Sequence, residues 1–378
     1  MNKYQKEQTV PKAIKIICVC GARPNFMKVA PLMRAFKAHG GFDVRIVHTG
    51  QHYDEKMSNL FFKELQIPEP DVNLEVGSGS HTMQTAEIMK RFEPVVLDFK
   101  PNYVLVVGDV NSTIACGMVA AKLGVKLIHV EAGLRSFDRT MPEEINRILT
   151  DAISDLLFVS EPSGVANLKR EGISKEKIYF VGNVMIDTLM ANLKKAAQST
   201  ILDELKLQPR KYGVITMHRP SNVDNSKRFT EIVYAFEQIQ KELVLIFPIH
   251  PRTRKNLYKT KLGRHISSLK NFHIVDPIGY LDFLKLTSES RLVMTDSGGI
   301  QEETTILGVP CITLRENTER PVTITEGTNR LVNLTRQAIV GGFRKIMSNR
   351  SVSKAKRPKL WDGKAAERIV KIIAKIGL

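Results

Sequence analysis

Residues 103–133, YVLVVGDVNSTIACGMVAAKLGVKLIHVEAG, decide the fold. Two short β-branched runs, 103–107 and 126–130, flank a single stretch of helical pattern that stops at Gly124. Strand, crossover helix and strand form a βαβ unit, so the two strands are parallel neighbours, about 4.8 Å apart if directly paired. Each run ends in a polar cluster, GDVNST after the first and EAGLRS after the second. Asp109 and Glu131 therefore emerge at the same sheet edge, the carboxyl end of the strands, where open parallel sheets bind their ligands.

The same alternation continues in both directions. Strands are expected near 14–20, 43–48, 156–159 and 178–181, with helical patterns such as PNFMKVAPLMRAFKAHG between them. A second series follows a polar helical stretch around 184–210, with strands near 212–216, 243–249, 272–275, 291–295 and 310–314. The fold class is α/β, with two doubly wound, Rossmann-like halves and a boundary near residue 183. The 378-residue length agrees with two or three domains. The last segment, DGKAAERIVKIIAKIGL, is an amphipathic helix with Ile369, Val370, Ile372, Ile373 and Ile376 on its apolar face, and it must pack on one of the halves.

Composition removes several classes. With 43% hydrophobic and 25% charged residues the chain can build real cores, and disorder is excluded as its main theme. Its four cysteines, Cys18, Cys20, Cys116 and Cys311, form no CxxC; a reduced, cytoplasmic chain is expected, with neither a disulfide framework nor zinc. No apolar run approaches the about 18 residues needed to span a bilayer. The start, MNKYQKEQTVPKAIKIICVCGA, faintly mimics a signal peptide but reads better as the approach to a first core strand. The formal charge of +17 suits a polyanion, a membrane surface or a phosphorylated substrate, or is simply a basic surface, since only SVSKAKRPKL (351–360) is dense in Lys and Arg. No nucleic-acid motif accompanies it, so neither nucleic acid nor membrane is expected as a partner.

Polar clusters follow the remaining strands as well: GARPNFMK, HRPSN, HPRT and DSGGIQEE. Asp109 and Glu131, one strand apart, form a carboxylate pair in which one pKa should rise, as suits acid/base work; the plain alternative for Asp109 is a helix cap. Glu143 and Glu144 open the helical pattern PEEINRILTDAISD, where the helix dipole favours acids in any case. Arg147, four residues after Glu143, is placed for an ordinary ion pair with it. The turn Ser297, Gly298, Gly299 lets backbone amides approach a diphosphate at the head of a helix, and Glu303 lies farther along that helix, within reach of ribose hydroxyls. Arg23 and Lys28 are cations at another helix start, placed for phosphate or for solvent. His218 and His250 each follow a second-half strand, where a histidine serves structure as readily as catalysis. HExxH and GxGxxG are absent, which leaves no sequence case for a metal or a nicotinamide cofactor.

In their order and spacing, GARPNFMKVAPL, GDVNST, HVEAGLRS, MPEEINR, HR, HP, TDSGGIQEE and TERP together resemble the non-hydrolysing UDP-N-acetylglucosamine 2-epimerases over nearly the whole chain. The resemblance implies the two-domain glycosyltransferase-B-like fold, its domains facing a cleft. Residues 1–183 would carry the catalytic carboxylates and 184–362 would bind UDP, with 363–378 crossing back to the first domain. It implies acid/base roles for Asp109, Glu131, Glu143 and His218. For the UDP-sugar it implies Arg23, Lys28, Arg147, His250, Ser297, Gly298, Gly299, Glu303 and Arg320, with Phe283 at the uracil. It also implies a cofactor-free cytoplasmic homodimer serving cell-surface polysaccharide biosynthesis, in which UDP is eliminated to leave a glycal and is then added back. The chain departs from the family pattern in two places. Ser221 follows HRP where many relatives have Glu, and QHYDE stands at 51–55 where bacterial members have QHRE, so a second, regulatory UDP-sugar site does not carry over. A hydrolysing 2-epimerase, a 2-epimerase of a modified UDP-acetamido sugar, a retaining glycosyltransferase, and a nucleotide-sugar sensor or basic RNA-binding protein are the alternatives.

Overall fold

The structure, a computed structural model, describes residues 13–21, 23–50, 64–65, 67–348 and 356–377, apart from the side chains of Arg23 and Pro24. QHYDE, residues 351–355 of the basic run at 351–360 and the Arg23 side chain thus lie outside the described residues.

The first sheet contains β1 (Ile14–Cys20), β2 (Phe42–His48), β3 (Val72–Asn73), β4 (Tyr103–Val107), β5 (Lys126–Ala132), β6 (Leu156–Val159) and β7 (Ile178–Phe180), in the order β3-β2-β1-β4-β5-β6-β7. The second contains β8 (Tyr212–Thr216), β9 (Val244–Pro248), β10 (Phe272–Val275), β11 (Leu292–Thr295), β12 (Cys311–Thr313) and β13 (Asn329–Leu331), in the order β10-β9-β8-β11-β12-β13. All pairings are parallel. In both sheets the strand order reverses beside the first strand, at β1/β4 and at β8/β11, and these switch points open the crevices in which such folds bind ligands. β3 and β13, only two and three residues long, were not expected from the sequence.

The near-continuous apolar strands follow from burial on both faces. Ile16, Cys18 and Cys20 of β1 face one core with Phe26, Val29 and Leu32 of α1 (Arg23–His39), whereas Ile17 and Val19 face a second core. That second core holds Ile88, Phe92 and Val96 of α2 (His81–Phe99) and Ala115 and Val119 of α3 (Asn111–Lys122). Helices α4 (Pro142–Ile153) and α5 (Pro162–Arg170) complete this lobe.

The connection between the sheets is α6 (Val184–Ala196). It opens the polar helical stretch expected around 184–210, and its first turns are buried. The second lobe carries α7 (Ser226–Ile239), α8 (Pro251–Tyr258), α9 (Tyr280–Ser288), α10 (Gly298–Leu307) and α11 (Arg336–Ser348). The final helix, α12 (Ala365–Gly377), puts Ile369, Val370 and Ile373 into the first-lobe core and leaves Ile376 exposed. Two contacts pin this return: the only tryptophan, Trp361, donates its indole N–H to the Ser160 carbonyl at 2.8 Å, and Asp187 caps α12 through the amides of Ala365 and Ala366 at 3.1 and 2.7 Å.

Candidate active site

Asp109 leaves β4 through Gly108, whose φ of +69° suits glycine; a Cβ there would also lie 2.7 Å from the Lys28 amine. The cap of α3 is Val110, with no side-chain bond, so Asp109 is not a helix cap. Its carboxylate pairs instead with Arg147. Burial alone would raise the Asp109 pKa, but Arg147, Lys28 and Arg320 hold it below the usual value. Of the expected carboxylate pair, Asp109 is therefore not the member that titrates high: the three cations outweigh both burial and the Glu319 carboxylate.

Arg147 likewise differs from expectation. It pairs with Asp109 and, at 2.7 Å, with Glu144, not with Glu143. Glu144 is fully occupied, accepting the Ser136 and Phe137 amides at 2.9 Å each. Glu143, in the first turn of α4, is half-buried and has no ion pair or hydrogen bond among the described residues.

Glu131 sits where the β5–β6 register slips between Val130 and Ala132, and its φ is +77°. A non-glycine residue holds such a conformation only when its surroundings enforce it. Here they do: Glu131 is 5% exposed, and its two oxygens are taken by Lys28 of the first lobe and Arg320 of the second.

Arg320 is the hub of the interlobar contact. It also pairs with Glu302 and, at 3.1 Å, with Glu319, which Arg315 holds at 2.7 Å and Arg219 at 3.5 Å. Burial works against ionised Glu319, yet Arg320, Arg315 and Arg219 bring its pKa well below normal. Gly298 lies directly beside this hub, since a Cβ on it would come 2.8 Å from Glu319 Oε1 and 3.3 Å from Arg320 Cζ. Ser297 caps α10 without a side-chain bond, which leaves the first-turn amides of Gly298 and Gly299 for an anion.

His218 stands on the same rim. Its Nδ1 lies 3.1 Å from Asp296 Oδ1, and Asp296 also accepts the Arg219 amide at 2.9 Å. A carboxylate on Nδ1 orients the ring and leaves Nε2 for proton transfer. The His250 ring centroid is 6.0 Å from that of His218, and its Nδ1 caps α8 by accepting the Arg252 amide at 3.2 Å. Phe283 is half-buried on the same apolar cluster as Ile300, the residue after Gly299.

Glu303 is buried, accepts the Tyr280 hydroxyl at 3.2 Å, and has its pKa pushed up to about 8, chiefly by burial. Its Oε2 and that of Glu302 have no hydrogen-bond partner among the described residues, and such buried acceptors suit hydroxyl donors. The arrangement therefore brings carboxylates, an imidazole, buried cations and helix-start amides to the strand ends where the lobes meet, a set that can serve acid/base chemistry and anion binding. Among the described residues no group of three or more His, Cys, Asp or Glu is placed to hold a metal ion.

Sequence reading named neither Asp296, Glu319, Arg219 nor Tyr280 as site residues. The first three lie inside motifs already quoted or directly after a strand, and that position was the available signal. Tyr280 gave none, because only the fold brings it to Glu303.

Three buried carboxyls contribute to a pH dependence: Asp187 is raised to about 6, Glu161 to about 7 and Glu303 to about 8, burial being the main cause for each. All three folded values exceed the unfolded ones, so between pH of about 4.5 and the folded pKa the native state keeps protons that the unfolded chain has released, and stability falls as pH rises. The Tm of the unliganded protein should drop between pH 6 and 8.5, and Glu303→Gln should flatten the upper part of that drop. Thermal melts with the same slope in both proteins would contradict this.

The family model described as UDP-N-acetylglucosamine 2-epimerase matches residues 34–374. The chain is 43% identical over 371 residues to UDP-N-acetylglucosamine 2-epimerase of Methanocaldococcus jannaschii, covering 95% of this chain and 99% of that one. It is 39% identical over 366 residues to UDP-2,3-diacetamido-2,3-dideoxy-D-glucuronate 2-epimerase of Pseudomonas aeruginosa, covering 96% and 100%. A crystal structure of the M. jannaschii UDP-GlcNAc 2-epimerase in complex with UDP-GlcNAc and UDP superposes with a TM-score of 0.90 at 43% identity, covering 96% of this chain and 100% of that one.

Proposed function

Because the chain belongs to the UDP-N-acetylglucosamine 2-epimerase family, we propose that its interlobar crevice eliminates UDP from UDP-N-acetylglucosamine and adds it back, inverting carbon 2 to give UDP-N-acetylmannosamine. The protein is an epimerase; the route and the roles of individual residues are our reading.

One observation carries that reading. Glu131, at the end of a first-lobe strand, is in direct contact with Arg320, which lies against the Gly298 turn of the second lobe. The sugar's carbon 2 and its diphosphate-bearing carbon 1 are adjacent atoms, so the reaction needs proton-transfer groups and diphosphate-binding groups within one side chain's reach. This contact supplies that spacing.

The proton on carbon 2 is not next to a carbonyl, so direct deprotonation and return on the other face is too costly. In the proposed route a carboxylate takes the carbon 2 proton, its electron pair forms the double bond to carbon 1, and the carbon 1–oxygen bond breaks with its pair leaving on UDP. Addition reverses these steps, with the proton delivered to the opposite face. No net redox occurs, and no hydride acceptor is needed.

Asp109, held ionised by its cations, Glu131, Glu143 and His218 supply the acid/base groups. Lys28, Arg320 and the amides of the Ser297–Gly298–Gly299 turn receive the departing diphosphate, with Arg23 added by family resemblance. Arg147 orients Asp109 and Glu144. Glu303 takes the ribose hydroxyls, Phe283 lines the uracil, and His250 stands beside His218. The same reading places the enzyme in the cytoplasm as a homodimer. No described helix is long and apolar enough to cross a membrane.

The 39% identity to the diacetamido-glucuronate 2-epimerase favours a second substrate with the same carbon 2 chemistry. A proton NMR product assay should be run with each nucleotide sugar. UDP-N-acetylmannosamine appearing to an equilibrium mixture is the expected result. Free N-acetylmannosamine with UDP would show a hydrolysing enzyme, and turnover of the uronate alone would move the substrate.

A further inference from the structure

Outside the groups assigned above, His129 breaks the pattern of its strand. Its neighbours Leu127, Ile128 and Val130 in β5 belong to the apolar cores, yet the histidine among them is 0% exposed. An imidazole in that position is costly unless its nitrogens are bonded, and both are. Nε2 lies 2.8 Å from the Gly108 carbonyl, and Nδ1 lies 2.6 Å from Asp151 Oδ1. A carbonyl only accepts, so Nε2 carries a proton and donates it to Gly108.

Asp151, on α4, is 1% exposed and reaches the other strand end. Its Oδ2 accepts the Gly133 amide at 3.0 Å and pairs with Arg135 at 2.7 Å. Arg135 in turn grips both oxygens of Glu171, at 2.9 and 2.6 Å. Burial works against an ionised Asp151, but His129 and Arg135 hold its carboxyl below the usual value. One buried pair, His129 and Asp151, is thus bonded to the backbone just before Asp109 and to the backbone just after Glu131.

The Gly108 carbonyl belongs to the peptide unit that joins Gly108 to Asp109. The next carbonyl, that of Asp109 itself, accepts from the Asn146 side chain at 2.9 Å. Gly108 has a φ of +69° and Glu131 one of +77°, so neither stretch is regular strand whose ladder alone would fix it. We propose that His129 is a positioning residue: by donating from Nε2 to the Gly108 carbonyl while Asp151 holds its Nδ1 and the Gly133 amide, it sets Asp109 against Glu131. This rests on the reading of those two carboxylates as proton-transfer groups. Fully buried, His129 itself meets no substrate.

The test compares two variants. Asparagine places its amide nitrogen near the position of Nδ1, and glutamine near that of Nε2. His129→Asn therefore keeps the Asp151 link and drops the Gly108 one, whereas His129→Gln does the reverse. Each loses one buried hydrogen bond, so a merely structural histidine would make the two alike. Epimerisation kinetics are measured at a temperature where both are folded by circular dichroism. His129→Asn should lower kcat about 10²-fold, the cost of displacing a catalytic group by about 1 Å, and His129→Gln should lose about tenfold less. Calorimetric UDP affinity should remain that of the parent in both, because the Ser297–Gly299 turn and Arg320 lie in the second lobe. Equal losses of kcat in the two variants, or a loss of UDP affinity as large as the loss of kcat, would overturn the proposal. Should the variants fail to fold, 15N NMR of the parent's histidine rings reads the link directly. A proton on Nε2 of His129, coupled across the hydrogen bond to the Gly108 carbonyl, is expected, and a bare Nε2 would overturn the proposal. Parent kcat in Asp109→Asn, with the His129 link intact by NMR, would overturn only the functional reading beneath it.

Discussion

Glu143→Gln is expected to lower kcat for epimerisation by about 10²–10⁴-fold, the usual worth of a general acid or base. Its unfolding free energy should move by less than about 0.5 kcal/mol. The two expectations separate because of how the acids are held. Asp109, Glu131 and Glu144 are each committed to a buried cation, so changing any of them disturbs an ion-pair network along with the chemistry. Glu143 stands at the start of α4 with no such commitment among the described residues. Glutamine keeps its shape and helix position but cannot exchange a proton. Steady-state kinetics and urea unfolding on the same preparation check both halves, and a variant retaining more than a tenth of the parent kcat would remove Glu143 from the chemistry.

The second large effect belongs to Arg320. Replacing it with alanine leaves Glu131, Glu302 and Glu319 without the cation they share in a dry interlobar contact. Breaking a buried pair from one side costs about 3–5 kcal/mol, because the stranded charges remain buried. Arg320→Ala should lose about that much stability and also lose the rise in Tm that UDP gives the parent. Lysine should not rescue it, since Nε and the two terminal nitrogens of the guanidinium reach different carboxylates and one ammonium cannot. A loss below about 1 kcal/mol, with UDP stabilisation intact, would mean that Arg320 neither holds the lobes nor meets the diphosphate.

Local pattern accounts for what was legible in the sequence. The alternation of β-branched runs with helical stretches fixed two parallel sheets, because strands covered on both faces must be apolar throughout, as Ile16–Cys20 and Val104–Val107 are. Since strand ends carry the ligand in such sheets, reading the residues after each strand found Asp109, Glu131, His218 and the Ser297 turn. Glu131 shows where that reading stopped. Its residue type and position were visible, but its left-handed backbone and its salt bridge to Arg320, 189 residues away, depend on the lobes meeting. The strand pattern brings Asp109 beside Glu131 but does not show the cations that hold the Asp109 carboxyl low, two of which, Lys28 and Arg320, are distant in sequence.

The central claim is that the carbon 2 proton leaves and a proton returns on the other face while UDP stays in the crevice. Incubating UDP-N-acetylglucosamine with the enzyme in deuterated water, and following the sugar by proton NMR, tests this most directly. The account predicts deuterium at carbon 2 of UDP-N-acetylmannosamine from the first turnovers, and of recovered substrate as the mixture equilibrates. Epimer formed with its original proton still at carbon 2 would contradict it.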